Sequence, residues 1–400
     1  MITILLTMPL HDPAHAFVPY PDVSVPRAAT GPLADLSFGV KDLYDVAGYP
    51  TGGGSPFLLA MSGIKTTTAP AVQKLLDAGA RFVGKTVTDE LAFSMNGNNA
   101  HFGAPINGAV NDRITGGSSS GSASAVSSGL CDFALGSDTG GSVRAPANHC
   151  GLYGLRPTHG RISLAGVLDL APSLDTCGWF TRDVGSFARV ADVLLGADAS
   201  PLPANVRLLW PRDIWAMLDA AVTAALEGAA EKVQATLGSA TPVAQIALGD
   251  WDAMYWNFRY VQAREAWLTD GPLIERYAPP LGPGVAERFA WSRDVTDEQV
   301  NGARAFRAKF RDQLAALLGT DGVLLMPTMP DIAPLRSAAE SSLEDYRNKA
   351  IRMLCVAGLS GFPQLSMPLA QRDGAPLGIS LLGPAGSDRS LVALAERIAA

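Results

Sequence analysis

The segments Gly116-Gly-Ser-Ser-Ser-Gly-Ser122 and Gly136-Ser-Asp-Thr-Gly-Gly-Ser-Val-Arg144 decide what this sequence predicts about fold and chemistry. Glycine lacks a Cβ atom, so Gly140 and Gly141 allow backbone dihedrals that other residues avoid. A turn of this kind can point successive N–H groups into one concavity that holds a negative oxygen. Ser142 ends the turn and is a candidate nucleophile for acyl transfer. Either segment alone is also compatible with a glycine-rich loop that only turns the chain.

Strand-like and helix-like patterns alternate on both sides of these segments. Residues 36–41, 133–135 and 323–326 are typical of buried strands, and the small residues around 123–126 favour a helix. Further along the chain, Val222 and Leu226 belong to one apolar helical face, and Val300 and Phe306 belong to another. Strands that alternate with helices predict an α/β protein.

The composition argues against several classes of protein. The net charge is −7 and 17% of the residues are charged, so no basic surface favours nucleic acid. The sequence contains no run of about 20 apolar residues, the length needed to span a membrane, and the apolar residues 2–6 are too few for a signal sequence. The four cysteines show no regular spacing, which argues against a disulfide framework or a zinc site. We expect a cytoplasmic protein with buried thiols.

Three short patterns match known motifs by letter and fail on context. Residues 79–86 fit a phosphate loop, but a helical pattern precedes them and a strand-like pattern runs through them. Residues 117–121 fit the G-x-S-x-G motif, yet no histidine follows His159 to complete a triad. Residues 62–65 fit S-x-x-K without its companion motifs. None of the three motifs is predicted to be functional.

A much longer match resembles the amidase signature family. It is strongest over residues 31–196, covers nearly the whole chain and is weakest at about 200–320. The matching segments are Val40-Lys41-Asp42, Gly116-Gly-Ser-Ser-Ser-Gly-Ser-Ala-Ser-Ala-Val126, Ala134-Leu-Gly-Ser-Asp-Thr-Gly-Gly-Ser-Val-Arg-Ala-Pro146, Cys150-Gly-Leu-Tyr-Gly-Leu-Arg-Pro-Thr158, Leu325-Met-Pro-Thr-Met-Pro330, Leu359-Ser-Gly-Phe-Pro-Gln-Leu-Ser-Met-Pro368 and Leu377-Gly-Ile-Ser-Leu-Leu-Gly-Pro384.

The resemblance implies an α/β amidase-signature fold with a mixed central β-sheet flanked by α-helices on both faces. We expect residues 1–400 to form a single amidase domain. Within it we distinguish a signature core at about 31–196, a variable helical segment at about 200–320 and a C-terminal sheet portion at about 321–400.

The resemblance also implies a Ser–Ser–Lys catalytic triad. Ser142 occupies the nucleophile position, Ser118 the bridging position, and Lys41 the base position. A cis peptide bond is expected before Ser118. Supporting roles are expected for Ser119, Asp138 and Arg144.

Proton chemistry suggests how such a triad would work. A serine hydroxyl needs a base, and burial lowers a lysine pKa enough to make it one. Lys41 would draw a proton through Ser118 from Ser142, while backbone N–H groups hold the oxyanion. Those N–H groups are expected from Thr139, Gly140, Gly141 and Ser142. The arrangement requires no metal and no cofactor.

Residues 89–103 and 175–183 resemble the short indole-acetamide hydrolases, so we expect a small-molecule amide substrate of the aryl- or alkyl-acetamide class, with indole-3-acetamide as one candidate. The alternatives are an amidotransferase A-type subunit, an esterase or carbamate hydrolase with the same triad, and a non-catalytic interaction protein.

Six of the seven tryptophans lie between Trp210 and Trp291; they predict an aromatic helical layer or, alternatively, a wall over the substrate pocket. No nucleic-acid or membrane partner is expected, and a homodimer remains open.

Overall fold

The central sheet contains ten strands within residues 11–400, the part of the chain that the computed structural model describes. The interpretation of residues 2–6 lies outside this range. The strands are β1 (Ser37–Lys41), β2 (Arg81–Thr86), β3 (Phe133–Ser137), β4 (Tyr153–Arg156), β5 (Cys177–Thr181), β6 (Arg207–Pro211), β7 (Thr241–Val243), β8 (Gly322–Pro327), β9 (Gln364–Arg372) and β10 (Ala375–Leu382).

The sheet is mixed, with the spatial order β2-β1-β3-β5-β4-β9-β10-β8-β6-β7. Strand β1 pairs in parallel with β2 and β3, and β6 pairs in parallel with β7 and β8. The neighbouring pairs between β3 and β8 are antiparallel. This arrangement confirms the predicted α/β class and its mixed central sheet.

Twelve α-helices and one short 3₁₀ helix accompany the sheet in the described range. The α-helices are α1 (Pro56–Ser62), α2 (Pro70–Asp77), α3 (Ser120–Ser127), α4 (Arg144–Cys150), α5 (Val184–Leu194), α6 (Arg212–Trp215), α7 (Ala220–Leu237), α8 (Trp251–Tyr277), α9 (Val285–Arg293), α10 (Asp297–Leu318), α11 (Glu340–Ser360) and α12 (Asp388–Ala399). The 3₁₀ helix is Glu90–Ala92.

Helices cover both faces of the sheet. Successive side chains of a strand point to opposite faces, and β3 shows this directly. Phe133 belongs to the same core cluster as Phe187 of α5. Ala134 belongs to a second core cluster, which it shares with Ala123 of α3. The two clusters place α5 on one face and α3 on the other.

The sequence pattern located most elements around the glycine-serine segments. The predicted strand at 36–41 is β1, the helix of small residues is α3, and the buried strand that follows is β3. The residues that fit the phosphate-loop pattern run from the end of α2 into β2. A phosphate loop instead needs a strand before it and a helix after it. Its lysine, Lys85, is buried and pairs with Asp42 Oδ1 at 2.9 Å.

A layer of long helices covers the glycine turn before Ser142. Helix α8 packs against α9, α10 and α11. A Cβ atom placed on Gly140 would lie 3.0 Å from Phe258 Cζ of α8, so the helix lies directly over this turn. The variable helical segment thus forms one wall of the region that the signature segments build.

Three further observations concern residues 11–400 as a whole. The four cysteines are buried and form no disulfide, and burial raises the pKa of the Cys177 thiol to about 12. The described part of the chain contains no cluster of three His, Cys, Asp or Glu side chains suited to a metal ion. None of its helices combines the length and the apolar composition needed to cross a membrane.

Candidate active site

Lys41 is positioned by the parallel pairing of β1 and β3. Val40 of β1 is in register with Leu135 of β3, so both strands end at the same edge of the sheet. Lys41 is the last residue of β1 and is fully buried. Its Nζ atom lies 2.7 Å from Ser118 Oγ and 2.8 Å from Ser137 Oγ. The sheet therefore brings the predicted base and the predicted bridging serine into hydrogen-bond contact.

Burial lowers the pKa of Lys41 to about 7, although the carboxylates of Asp89 and Asp175 act in the opposite direction. Because the low-dielectric interior disfavours the ammonium form, a large fraction of this lysine is neutral near pH 7. A neutral amine has a free lone pair and can accept a proton. Lys41 thus meets the electrostatic condition for a base.

Backbone contacts around Ser118 fix its position just before α3 begins. The Gly117–Ser118 peptide bond is cis, as the resemblance implied. The Ser118 carbonyl accepts hydrogen bonds from Thr88 Oγ1 at 3.0 Å and from the Asp89 N–H at 3.1 Å. These contacts leave the Ser118 hydroxyl pointing at Lys41.

The turn before Ser142 requires glycine at position 141. Gly141 has a φ of 123°, and a Cβ atom there would lie 2.4 Å from Leu354 Cδ1. Its N–H donates to Asp138 Oδ1 at 2.9 Å. No described residue accepts the N–H groups of Thr139, Gly140 or Ser142. Of the four backbone groups predicted for the oxyanion, three are available and one is engaged by Asp138.

Ser142 lines a small cavity of about 20 Å³. A water molecule needs about 10–15 Å³ of such space, so the cavity has room for about one. The residues that surround it with Ser142 include Gly140, Phe258, Gln262, Arg347 and Ile351. The signature turn forms one side, and α8 and α11 form the other.

Two of the three predicted triad residues, Lys41 and Ser118, are joined by a hydrogen bond. Within residues 11–400, Lys41 and Ser118 are bonded, whereas no hydrogen bond joins Ser118 to Ser142. Catalytic hydrogen bonds are often long without substrate and tighten in the complex. The contact between Lys41 and Ser118 is consistent with the first half of the predicted proton relay.

Asp138 and Arg144 form a buried ion cluster beneath the turn. Arg144 Nη2 lies 2.8 Å from Asp138 Oδ1, and Arg156 Nη1 lies 3.1 Å from the same oxygen. Burial alone would raise the pKa of the Asp138 carboxyl, but the two guanidinium charges hold it well below its usual range. Asp138 also accepts the N–H of Val143 at 3.2 Å. Its ionised carboxylate therefore holds both ends of the turn.

Ser119 joins the start of α3 to the end of β3. Its hydroxyl donates to the Ser137 carbonyl and accepts the Ser137 N–H, both at 3.2 Å. Since Ser137 is itself bonded to Lys41, Ser119 stabilises the frame around the base. Its position is consistent with the predicted supporting role.

Sequence reasoning missed three residues of this site. Ser137 contacts Lys41, Arg156 shares the carboxylate of Asp138, and Asp89 is buried against the Gly117–Ser118 peptide. All three lie inside segments that carried the family resemblance, but no role had been assigned to them. A parallel pairing of β1 with β3 places Ser137 at the same edge of the sheet as Lys41, and this was the signal that could have identified it.

Comparison with known proteins identifies the family. The sequence profile of the Amidase family matches residues 20–392. The chain belongs to the amidase family. Amidase 1 of Arabidopsis thaliana is 36% identical over an alignment of 416 positions, which covers 96% of this chain and 98% of that protein. The predicted family membership and the prediction of an amidase-type hydrolase are confirmed.

The chain is also similar to proteins with other names. Outer envelope protein 64 of the Arabidopsis thaliana chloroplast is 32% identical and is covered over 67% of its length, against 93% of this chain. The A subunit of the glutamyl-tRNA(Gln) amidotransferase from Methanothermobacter thermautotrophicus is 31% identical, with 92% of this chain and 85% of that protein covered. A crystal structure of an amidase superimposes with a TM-score of 0.82 at 29% identity, covering 92% of this chain and 85% of that one.

Proposed function

We propose that this amidase hydrolyses small carboxamides to a carboxylate and ammonia through an acyl-enzyme on Ser142. The observation that carries the proposal is the buried Lys41, whose Nζ lies 2.7 Å from Ser118 Oγ and 2.8 Å from Ser137 Oγ, at the end of the strand that leads into the turn of Ser142. A base of lowered pKa next to a serine pair is the arrangement that activates a hydroxyl nucleophile.

The proposed reaction has two stages. In the first, Ser142 Oγ bonds to the amide carbon while its proton passes through Ser118 to Lys41. The C–N bond then breaks, and the relay returns the proton to the leaving nitrogen, which departs as ammonia. In the second stage, water attacks the acyl-enzyme by the same relay and releases the carboxylate and free Ser142.

The oxyanion of the tetrahedral intermediate would be held by backbone N–H groups. We narrow the expected set to Thr139, Gly140 and Ser142, because none of these donates to an acceptor within residues 11–400. Gly141 N–H is bonded to Asp138, so its proposed part is to keep the turn in shape. The same role, to keep the turn and its surroundings in shape, is proposed for Asp138, Arg144 and Ser119.

Within the carboxamides, the expected aryl- and alkyl-acetamides, including indole-3-acetamide, remain the first candidates. Similarity to Amidase 1 over 98% of that protein supports amide hydrolysis as the first candidate. The similarity to the A subunit of an amidotransferase keeps that role as the second candidate. Ester or carbamate cleavage would use the same groups. A cytoplasmic location is proposed on the sequence alone.

Ammonia release from a panel of primary amides tests the proposal. Wild type, Ser142→Ala and the control Ser163→Ala, at an exposed loop position, are compared side by side. Wild type and the control should release ammonia, whereas Ser142→Ala should not. Equal activity of Ser142→Ala would show that another group is the nucleophile. Activity that appears only after a partner chain is added would favour the amidotransferase role.

A further inference from the structure

Three arginines form a layer over the cavity of Ser142. Arg259 lies on α8, Arg288 on α9 and Arg347 on α11. Arg259 is 7% exposed and Arg347 is 4% exposed. We call these three residues the arginine layer.

The arginine layer lies between the cavity and an outer cleft. Arg347 lines the cavity together with Ser142. Arg259 and Arg288 line the cleft, which has a volume of about 380 Å³. Arg288 Nε donates to the carbonyl of Phe93 at 2.6 Å, and Phe93 lines the cavity. A molecule that passed from the cleft to Ser142 would therefore meet the guanidinium groups.

Few hydrogen bonds satisfy this layer. Among the described residues, Arg259 Nε and Nη1 and Arg347 Nε are buried without an acceptor. The layer has one carboxylate contact, from Arg347 Nη1 to Glu344 Oε1 at 2.8 Å, and the Glu344 side chain is 45% exposed. Buried donors without partners carry a large desolvation cost, so such groups in folded proteins need an explanation.

The surroundings stabilise the positive charges only in part. The Arg259 guanidinium lies 5.0 Å from the ring centre of Trp291, a cation–π contact that accepts no N–H bond. Burial and the nearby charge of Arg347 together lower the pKa of Arg259 to about 10. Glu287 and Glu340 also line the cleft, but both are solvent-exposed, and Glu287 accepts the N–H of Gly284.

We propose that Arg259 and Arg347 bind a carboxylate carried by the substrate, so that the enzyme prefers carboxamides with an anionic end over neutral ones of the same size. This inference rests on the proposed function and specifies its substrate class. A guanidinium matches a carboxylate through two parallel N–H bonds, which supplies orientation as well as charge. Neutral amides, indole-3-acetamide among them, would leave these donors without a partner.

Matched pairs of amides test the preference. Succinamate, glutaramate and adipamate are compared with butanamide, pentanamide and hexanamide, which end in a methyl group instead of a carboxylate. Wild type should show a kcat/KM at least about tenfold higher for the best anionic amide than for its neutral match, because hydrogen bonds to charged groups are strong. An equal or lower kcat/KM for all three anionic amides would overturn the inference and leave the proposed function standing.

Arginine variants locate the preference in the layer. Arg259→Gln and Arg347→Gln should each lower the anionic-to-neutral ratio of kcat/KM roughly 10- to 100-fold. Arg347→Lys, which keeps the charge but loses the planar group, should give an intermediate ratio. The controls are Arg264→Gln on α8 and Arg352→Gln on α11, since both arginines pair with surface carboxylates, at 2.7 Å from Asp297 and Asp252 respectively. Equal ratios in site and control variants would contradict the inference.

Binding to Ser142→Ala separates this inference from the proposed mechanism. Calorimetric titration with glutaramate and pentanamide needs no turnover. Tighter binding of glutaramate that is lost in Ser142→Ala/Arg347→Gln supports the arginine site even if no amide is hydrolysed. Equal binding of the two probes by a folded protein, checked by its thermal melt, would overturn it.

Discussion

Two groups of buried arginines lie near Ser142, and they differ in how their charges are satisfied. Arg144 and Arg156 share the carboxylate of Asp138, and Arg144 also donates to the Gln364 side chain at 2.6 Å. In the arginine layer, the Arg259 side chain makes no hydrogen bond to any described residue. The first group is largely satisfied within the protein, whereas the second is not.

The difference separates support of the fold from binding of a ligand. The Asp138 cluster holds the turn that carries Ser142, so its charges must be satisfied whether or not a substrate is present. In the arginine layer, Arg347 lines the cavity and Arg259 lines the outer cleft, where a ligand can supply the acceptor. A buried cation without a protein partner is thus a stronger indication of substrate binding than a buried ion pair.

Loss of the carboxylate in the satisfied cluster should have the largest effect. Asp138→Asn leaves two buried guanidiniums without their anion, which should lower the free energy of unfolding by about 3–5 kcal/mol. Urea unfolding measures this, with Asp219→Asn at an exposed position as the control. A loss below about 1 kcal/mol would show that the cluster is not the support described above.

A Cβ atom in the turn above that cluster should have the next largest effect. Gly141→Ala must either move Leu354 or distort the positive-φ turn, which should cost about 1–3 kcal/mol of stability. It should also reduce kcat at temperatures where the variant is still folded, because the turn orients the proposed oxyanion donors. Thermal melts and steady-state kinetics check this, with Gly228→Ala as the control, since a Cβ atom there meets nothing within 4 Å.

The pH dependence of activity should follow Lys41. Since burial lowers its pKa to about 7 and the neutral form is the proposed base, kcat/KM should rise about tenfold per pH unit below 7 and level off above it. Asp138 is among the carboxylates that raise this pKa, whereas none of the three arginines of the layer is among its causes. A profile that falls with increasing pH through 7 would exclude neutral Lys41 as the base.

Removal of a charge from the arginine layer should have the smallest effect on stability. Arg259→Met retains much of the side-chain volume and removes donors that lack partners, so the free energy of unfolding should stay constant or rise by about 1 kcal/mol. Arg144→Met, in the satisfied cluster, should instead lower it strongly. If both variants lose the same stability, the two groups do not differ as proposed.

The sequence predicted the signature region well because its local patterns agree with one another. Residues 36–41 and 133–135 were predicted as strands and proved to be β1 and β3, and the glycines at 140 and 141 marked the turn. Parallel pairing of those strands then brought Lys41 to Ser118. Here the chemistry and the fold are encoded in the same short segments.

The helical wall of the cavity was much harder to predict. Helix α8 buries Arg259 and Gln262 besides its apolar residues, and it contains Pro272, so no clean apolar stripe marks it. The arginine layer combines residues from three helices, and only their packing brings Arg259 near Arg347. Trp215, Trp251 and Trp267 pack in or against the main core, as the predicted helical layer implies. Trp256 is instead 45% exposed, and Trp291 lines the outer cleft.

The size of the Ser142 cavity also has a kinetic consequence. A space of about 20 Å³ has room for about one water molecule, so we expect the walls formed by α8 and α11 to move apart when a carboxamide binds. Collective movements of packed helices occur in microseconds to milliseconds. If such a movement limits substrate entry, the rate of entry should fall as glycerol or sucrose raises the viscosity of the medium, while the rates of the later chemical steps should not.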